Sequence, residues 1–393
     1  MSANPKHILI LDGNSSHCLP LVRSFQKSGH RVTLICPGVF SCGYFSRYGG
    51  TKLIWPRLTD NREEFYQLLM EVLQTGNIDL VMGLSDVSAA FLSIHKREIE
   101  KYSSCIVPDY ELFQRASDKF LTMKFCMENG IPCPATIDGD AENATGLMEK
   151  LKFPVVVKPK TGVGAVGFFI LQTREQLSRR LPELKALYGS MLVQEHIPNE
   201  NQYTVEAFCD QHSVMKACVV ANKRRYFPLN GGTSSCIESE THPEITETVK
   251  KLLEKIGWQG SANVDLIVDP RDAVPKVIEI NPRVGATVKI AHLTGVDIAD
   301  MTLTMLQKEE ISPVYDSTAG IVMRNMMLDL MWFIFSSLDA KRKTKPSFYH
   351  LFGKRVHYQN FSMDDPLPFM GYLLGNIMKY ADLNILKRKL GFK

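Results

Sequence analysis

The stretch GSANVDLIVDPRDAVPKVIEINPRVG (260–285) sets two apolar runs around a turn rich in Asp, Pro and Arg. Folded as a hairpin about residue 272, it places Asp265 opposite Glu279 on one face. Asn281 follows on that face, while Ile278 and Ile280 point the other way. Facing carboxylates repel unless something cationic lies between them. Two carboxylates and an amide oxygen are hard donors suited to Mg²⁺ or Mn²⁺, and Mg²⁺ commonly takes substrate phosphates as well. Arg283, just beyond, carries the forked donor set that grips a phosphoryl or carboxylate group. A solvated acid pair on an exposed strand is the plainer alternative.

A second stretch, VVVKPKTGVGAVGFF (155–169), contains Gly162, Gly164 and Gly167 in the spacing G-x-G-x-x-G. A dinucleotide fingerprint needs a helix after the glycines. Here FFILQT follows, apolar and aromatic, and reads as a second strand. No Gly-Lys-Ser/Thr follows, which removes a Walker loop, and the H-R-D and D-F-G signatures of protein kinases are absent. What remains is a hairpin flap whose bare N–H groups can close over phosphates, with Lys158 leading into it to neutralise charge. An ordinary glycine-rich hairpin is the competing reading. In MLVQEHIPNENQYTVEAF (191–208) a strand breaks at Pro198-Asn199. That break frees backbone at Glu195 and Ile197 for a base edge, with Gln194 or Glu195 accepting from an exocyclic amine and Gln202 near a ribose. A strand ending in a turn explains the same residues.

These residues need elements to hold them. HILILD (7–12), RVTLIC (31–36), IDLVMGL (78–84) and CIVP (105–108) alternate with helical patterns at 62–75 and 86–100, which is the signature of a doubly wound parallel sheet. Such sheets bind ligands beyond their carboxyl ends, here Gly13-Asn14-Ser15 and Ser85-Asp86, although Ser85-Asp86 also reads as a helix N-cap. From about residue 110 strands dominate: 154–158, 167–171, 191–196, 203–209, 214–220, 262–268 and 276–281. Helices are expected at 118–129, capped by Ser117, and at 174–187 and 243–256. The expected organisation is α/β and α+β, in units 1–112, 113–312 (two subdomains split near 190) and a helix-rich 313–393.

Bulk composition bounds the function. Apolar residues are 45% and charged residues 22%, an ordinary soluble balance. A net charge of +4 gives no argument for nucleic acid. Nine cysteines without C-x-x-C pairs read as free thiols in a reducing, cytoplasmic setting, and the N-terminus reads as a strand and not a leader. MMLDLMWFIF (326–335) is too short to span a membrane and carries Asp329. The tail 370–393 has apolar residues at helical spacing and a basic end. It suits packing on the protein itself or on a second subunit, and its pattern also allows contact with an anionic membrane surface.

In order along residues 110–312, these pieces resemble the ATP-grasp superfamily, and the preceding region is similar to the pre-ATP-grasp domain of biotin carboxylase and carbamoyl phosphate synthetase. Within the superfamily the chain looks like carboxylate–amine ligases of the D-aspartate ligase kind, a likeness carried by LDGNSSHCLPLVRSF and DDPLPF (364–369). The resemblance implies ATP and Mg²⁺ or Mn²⁺ as cofactors. It gives Lys119 and Lys158 the phosphates, 162–167 the role of a lid, Gln194, Glu195 and Ile197 the adenine, and Gln202 the ribose. Asp265, Glu279 and Asn281 receive the metal, and Arg283 the oxyanion. Gln202 stands where Glu or His is usual, and Asp265 where Glu or Gln is usual. The basic run Lys223-Arg224-Arg225 suits an acidic substrate, and the resemblance brings the loop at Gly231-Gly232 to the site; a solvated basic turn is the alternative. Ser85 and Asp86 are placed to reach the same cleft from the first domain. The implied reaction joins small-molecule carboxylate and amine substrates, such as amino acids, through an acyl phosphate, in a chain compatible with a homodimer. Carboxylation through carboxyphosphate, or a non-catalytic ATP-binding module, are the alternatives.

Overall fold

The computed structural model describes residues 4–141, 151–162, 166–198, 201–229, 232–315 and 317–381. Gly164, Asn199, Gly231 and the last part of the tail, 382–393, lie outside the described residues.

The chain opens with β1 (His7–Ile10), β2 (Arg31–Cys36), β3 (Thr51–Ile54), β4 (Leu80–Met82) and β5 (Ser104–Cys105), a parallel sheet in the order β3-β2-β1-β4-β5. Alternate residues of β1 face opposite layers. Ile8 and Ile10 pack with Val22 and Phe25 of the helix Cys18–Lys27, and Leu9 and Leu11 pack with Phe65 and Leu69 of the helix Arg62–Thr75. Both faces are thus covered, as a parallel sheet requires. The helix expected at 86–100 is two, Asp86–Ile94 and Lys96–Ile99, parted at His95. β3 was not expected; two of its four residues are exposed, so it lacks a continuous apolar run.

The remainder builds two further sheets. The small one runs β6 (Thr136–Asp138), β9 (Met191–Glu195), β7 (Val155–Pro159), β8 (Phe169–Leu171), covered by the helix Arg174–Tyr188 through Leu177, Leu181 and Leu184. β7 and β8 pair antiparallel, so the glycine stretch does join two strands. Gly167 has φ +76°, and a Cβ there would lie 2.8 Å from Pro159, so only glycine fits. The large sheet has seven strands: β14 (Pro275–Asn281), β13 (Gly260–Val268), β10 (Gln202–Cys209), β11 (Met215–Phe227), β12 (Thr233–Ser239), β15 (Val322–Arg324) and β16 (Val356–Tyr358). The last two come from beyond residue 313, where helix was expected to prevail.

One face of the large sheet is apolar. Val205, Val220, Val264 and Val277 pack on the helix Pro243–Ile256 and on Met123 of the helix Lys119–Glu128. That second helix is capped by Asp118, whose carboxylate accepts from the N–H groups of Phe120 and Leu121; Ser117 instead ends the preceding helix Tyr110–Ser117. The other face is split. Phe208, Val219 and Ala221 join the core of the first sheet through Val288, Ile290 and Met301, and the remaining half is polar and open. All nine cysteines are free. Among the described residues no helix is long and apolar enough to cross a membrane.

Candidate active site

The open half of that face forms the floor of a cavity of about 260 Å³. Strand register builds it. β13 pairs with β14 so that Asp265 faces Glu279 and Asn263 faces Asn281, and β10 pairs with β13 so that Thr204 faces Asp265. Opposed residues share a face, so these polar groups converge while Val264 and Ile280 turn into the core.

Three lysines surround the two carboxylates. Lys223 of β11 lies 2.6 Å from Asp265 Oδ2, and Lys119 lies 3.3 Å from Glu279 Oε2. Lys119 also donates to the Gly162 carbonyl at 2.7 Å, and its main-chain N–H donates to the Lys160 carbonyl at 2.8 Å. The lysine at the start of its helix is therefore tied to the end of β7. Lys158 is half-buried, and desolvation together with Lys119 lowers its ammonium to about 8, against the pull of Glu279 and Asp265. Burial pushes Glu279 up, but Lys119, Lys158 and Lys223 outweigh it and hold the carboxyl at about 2. Asp265 goes the other way: burial, with Glu279 opposite, raises it despite Lys223. Facing carboxylates divide in this way when one takes most of the available positive charge.

The second oxygen of Asp265, Oδ1, is buried and meets no donor in hydrogen-bond geometry. A buried carboxylate oxygen without a partner is costly, and a bound cation would relieve it. Among the described residues no three His, Cys, Asp or Glu side chains converge as a self-contained metal centre. A cation here would have Asp265, Glu279 and the Asn281 amide, completing its shell with ligand oxygens and water, which suits Mg²⁺. Asn281 is held by donating to Asn263 Oδ1 at 3.2 Å.

Arg283 closes one end. Its Nε lies 3.0 Å from Asp86 Oδ1, an ion pair between the central region and the first sheet's helix Asp86–Ile94. Below it, buried Glu206 accepts from the Gly285 N–H at 2.9 Å and the Thr287 hydroxyl at 3.1 Å. Burial raises Glu206 to about 7 in spite of these donors. A second opening of about 560 Å³ shares Lys119, Gly162, Glu279 and Asn281 with the first. Its outer wall is apolar (Val87, Phe91, Ile94, Tyr110, Phe113), with Arg62 and Asp86 among it.

Of the residues singled out by sequence, Lys119, Lys158, Gly162, Gln202, Gly232, Asp265, Glu279, Asn281 and Arg283 line the cavity. Others do not. Gln194 is buried and donates to Thr136 Oγ1 at 2.7 Å, Glu195 is paired with Arg271 at 2.6 Å, and Ile197 is buried beside them. Gly167 packs on Pro159. The Ser85 hydroxyl accepts from the Ser88 N–H as the cap of its helix, which is the plainer of its two readings. Arg224 pairs with Glu238 at 2.8 Å and with Glu240. The expectation of Arg225 as a substrate contact is corrected: it is buried and held bidentately by Asp329 at 2.6 and 2.9 Å. A β-bulge between Lys223 and Arg225 shifts the register with β12, so the facing of these residues does not follow from simple alternation. Sequence reasoning did not find Thr204, Asn263, Asn325 and Gln359, polar residues of the lining that carry no motif.

Residues 116–287 match the family model for the ATP-grasp domain. The chain therefore carries an ATP-grasp domain. The matched segment holds Lys119, Lys158, Asp265, Glu279, Asn281 and Arg283. Over 238 residues the chain is 33% identical to D-aspartate ligase of Enterococcus faecium, covering 56% of each protein; it thus spans about half the length of that relative. Among solved structures, the biotin carboxylase domain of Hydrogenobacter thermophilus 2-oxoglutarate carboxylase superposes with a TM-score of 0.66 at 17% identity, over 80% of this chain and 73% of that one. L-amino acid ligase from Bacillus licheniformis superposes with a TM-score of 0.61 at 18% identity, over 80% and 79%. Both likenesses reach beyond the ATP-grasp domain, and at these identities they establish the fold: a parallel α/β sheet preceding the ATP-grasp domain, as the sequence suggested.

Proposed function

We propose that the protein is an ATP-dependent carboxylate–amine ligase. A substrate carboxylate accepts the γ-phosphoryl group of ATP to give an acyl phosphate and ADP, and an amine then displaces phosphate to form the amide. The observation that carries this reading is the Asp265–Glu279 pair, ringed by Lys119, Lys158 and Lys223, with Oδ1 of Asp265 left open. Asp265, Glu279 and Asn281 are assigned to Mg²⁺, which when bound neutralises charge on the transferring phosphoryl oxygens. Lys119 and Lys158 hold phosphate oxygens, and Gln202 faces the ribose. The side chains of Gln194 and Glu195 are taken by Thr136 and Arg271, so the base falls to main-chain groups where β9 ends, at Glu195 and Ile197. The hairpin carrying Gly162 and Gly167 covers the phosphates and keeps water from the acyl phosphate. Arg283 turns from Asp86 to the reacting carboxylate and steadies its oxyanion. Substrates enter through the apolar opening that meets Lys119 and Glu279, and amino acids suit the charges at its rim.

ADP release should depend on Mg²⁺ and on both an acid and an amine. A screen of amino-acid pairs by coupled ADP detection and mass analysis of the product tests this. If the protein neither binds nor turns over ATP with Mg²⁺ under any pairing, the proposal fails. If ADP release instead requires bicarbonate, the reaction is carboxylation.

A further inference from the structure

The helix Met326–Phe335 has an unusual distribution of side chains. Its inner side holds Asp329 and Trp332, both buried, while Met326, Leu330 and Ile334 stand outward, 43%, 46% and 55% exposed. Residues four apart form a continuous stripe along a helix. Leu338, 72% exposed, lies a few residues beyond. Apart from Asp329 the helix is apolar on every side, so it lacks the polar outer face of an ordinary surface helix.

The neighbouring segment supplies charge and aromatic rings. Residues 338–363 contain Lys341, Arg342, Lys343, Lys345, Lys354 and Arg355 against a single acid, Asp339, which pairs with Lys343 at 2.9 Å. That concentration stands out in a chain whose net charge is only +4. The segment is fastened to the helix: Phe348 stacks on Phe333 at 4.1 Å, and Lys341 Nζ lies 4.8 Å over the same ring. Tyr349 and Phe352 nevertheless remain 74% and 82% exposed.

We propose that this face docks on an anionic lipid surface, with the Met326–Leu330–Ile334 stripe and Phe352 at the headgroup–acyl boundary and the Lys/Arg cluster on the headgroups. Exposed apolar side chains flanked by basic ones are the chemistry of interfacial attachment, and neither part alone holds firmly. A second copy meeting this face about a two-fold axis would set the basic cluster against itself. An anionic bilayer complements it. Asn325, which caps the helix by accepting from the Leu328 N–H at 3.2 Å, also lines the cavity, so docking brings the cavity close to the lipid.

The test is flotation of the full-length protein with vesicles of phosphatidylcholine alone or with phosphatidylglycerol. Binding should require the anionic lipid and weaken as salt is raised. The double variant Leu330→Asp/Ile334→Asp should reduce partitioning by roughly tenfold or more, and so should Arg342→Glu/Lys343→Glu, with unchanged thermal melting and far-ultraviolet circular dichroism. Three results overturn the proposal: no flotation with either lipid; flotation that both double variants retain; or a wild-type dimer that Leu330→Asp/Ile334→Asp makes monomeric without any vesicle binding. None of these depends on ligase activity.

Discussion

β11 carries two buried charge clusters close together, and they are built oppositely. Around Arg225 the account is closed. Asp329 takes both forks of Arg225, the Nε of Arg324 at 2.6 Å and the Ser235 hydroxyl at 3.2 Å. The remaining Arg225 nitrogen donates to the Pro346 carbonyl at 2.5 Å, and Arg324 donates to the His350 carbonyl at 2.9 Å. Around Lys223 the account is open: two facing carboxylates, three lysines, an oxygen without a donor, and a cavity above. The closed cluster fastens the helix Met326–Phe335 and the segment after it to the large sheet. The open one leaves Oδ1 of Asp265 unpaired beneath the cavity. Burial and ionic character are common to both, so they do not distinguish framework from site. What separates these two clusters is the completeness of their hydrogen bonding and the cavity above the incomplete one.

The sharpest way to break this distinction is to remove the centre of the closed cluster. Asp329→Asn leaves two buried guanidiniums without a countercharge, and loss of one partner of such a pair costs about 3–5 kcal/mol. Urea denaturation should show that loss. If the cluster is purely framework, ATP affinity of the surviving folded protein should stay within a few-fold of wild type. A variant of normal stability that fails to bind ATP would place Asp329 on the functional side instead.

In the open cluster the balance reverses. Burial and Glu279 raise Asp265 in spite of Lys223, so Asp265→Asn removes a repulsion. Stability should hold or rise, while ADP release should fall by about 10²-fold or more, the scale for losing a group that organises transition-state charge. Tm and steady-state turnover measured on one preparation check both halves. A large loss of Tm would mean that Asp265 serves the framework.

The contrast between the clusters also explains what sequence could reveal. The β13–β14 hairpin was legible because two apolar runs flank a turn rich in Asp, Pro and Arg, and alternation then gives the Asp265–Glu279 pairing; a β-bulge between Asp265 and Leu266 shifts the rest of the register, so Ile278, expected to turn away, lines the cavity. The pairing of the strands on either side of the glycines was legible because a strand, not a helix, follows Gly167. Arg225 was not legible: it sits in an unbroken basic run, and only the β-bulge beside it decides its facing. Its partner Asp329 lies about a hundred residues away, in a stretch that reads merely as a broken apolar helix. β15 and β16 are three residues each, too short for periodicity to register. Thr204 and Asn263 reach the cavity through cross-strand pairing, which no local pattern encodes.

A third cluster lies between these extremes and gives the comparison a pH axis. Asp269, buried in the β13–β14 turn, pairs with Arg271 at 2.5 Å and with Lys276 at 2.5 Å, and Arg271 reaches on to Glu195 at 2.6 Å. Arg271, followed by Lys276, holds the Asp269 carboxyl well below the ordinary carboxylate range. A carboxyl depressed in the folded state contributes stability that is fully present above its unfolded pKa, about 3.9, and is lost as pH falls below it. Asp269→Asn should therefore cost about 1.5–3 kcal/mol at neutral pH, the range for hydrogen bonds to a charged group. The gap between wild type and variant should narrow steadily as denaturation is repeated at falling pH below about 4. Because Arg271 also fixes Glu195 where β9 ends, a slight loss of ATP affinity should accompany the stability change. If the gap were the same at pH 3 as at pH 7, the hydrogen bonds of Asp269, and not its charge, would be holding the turn.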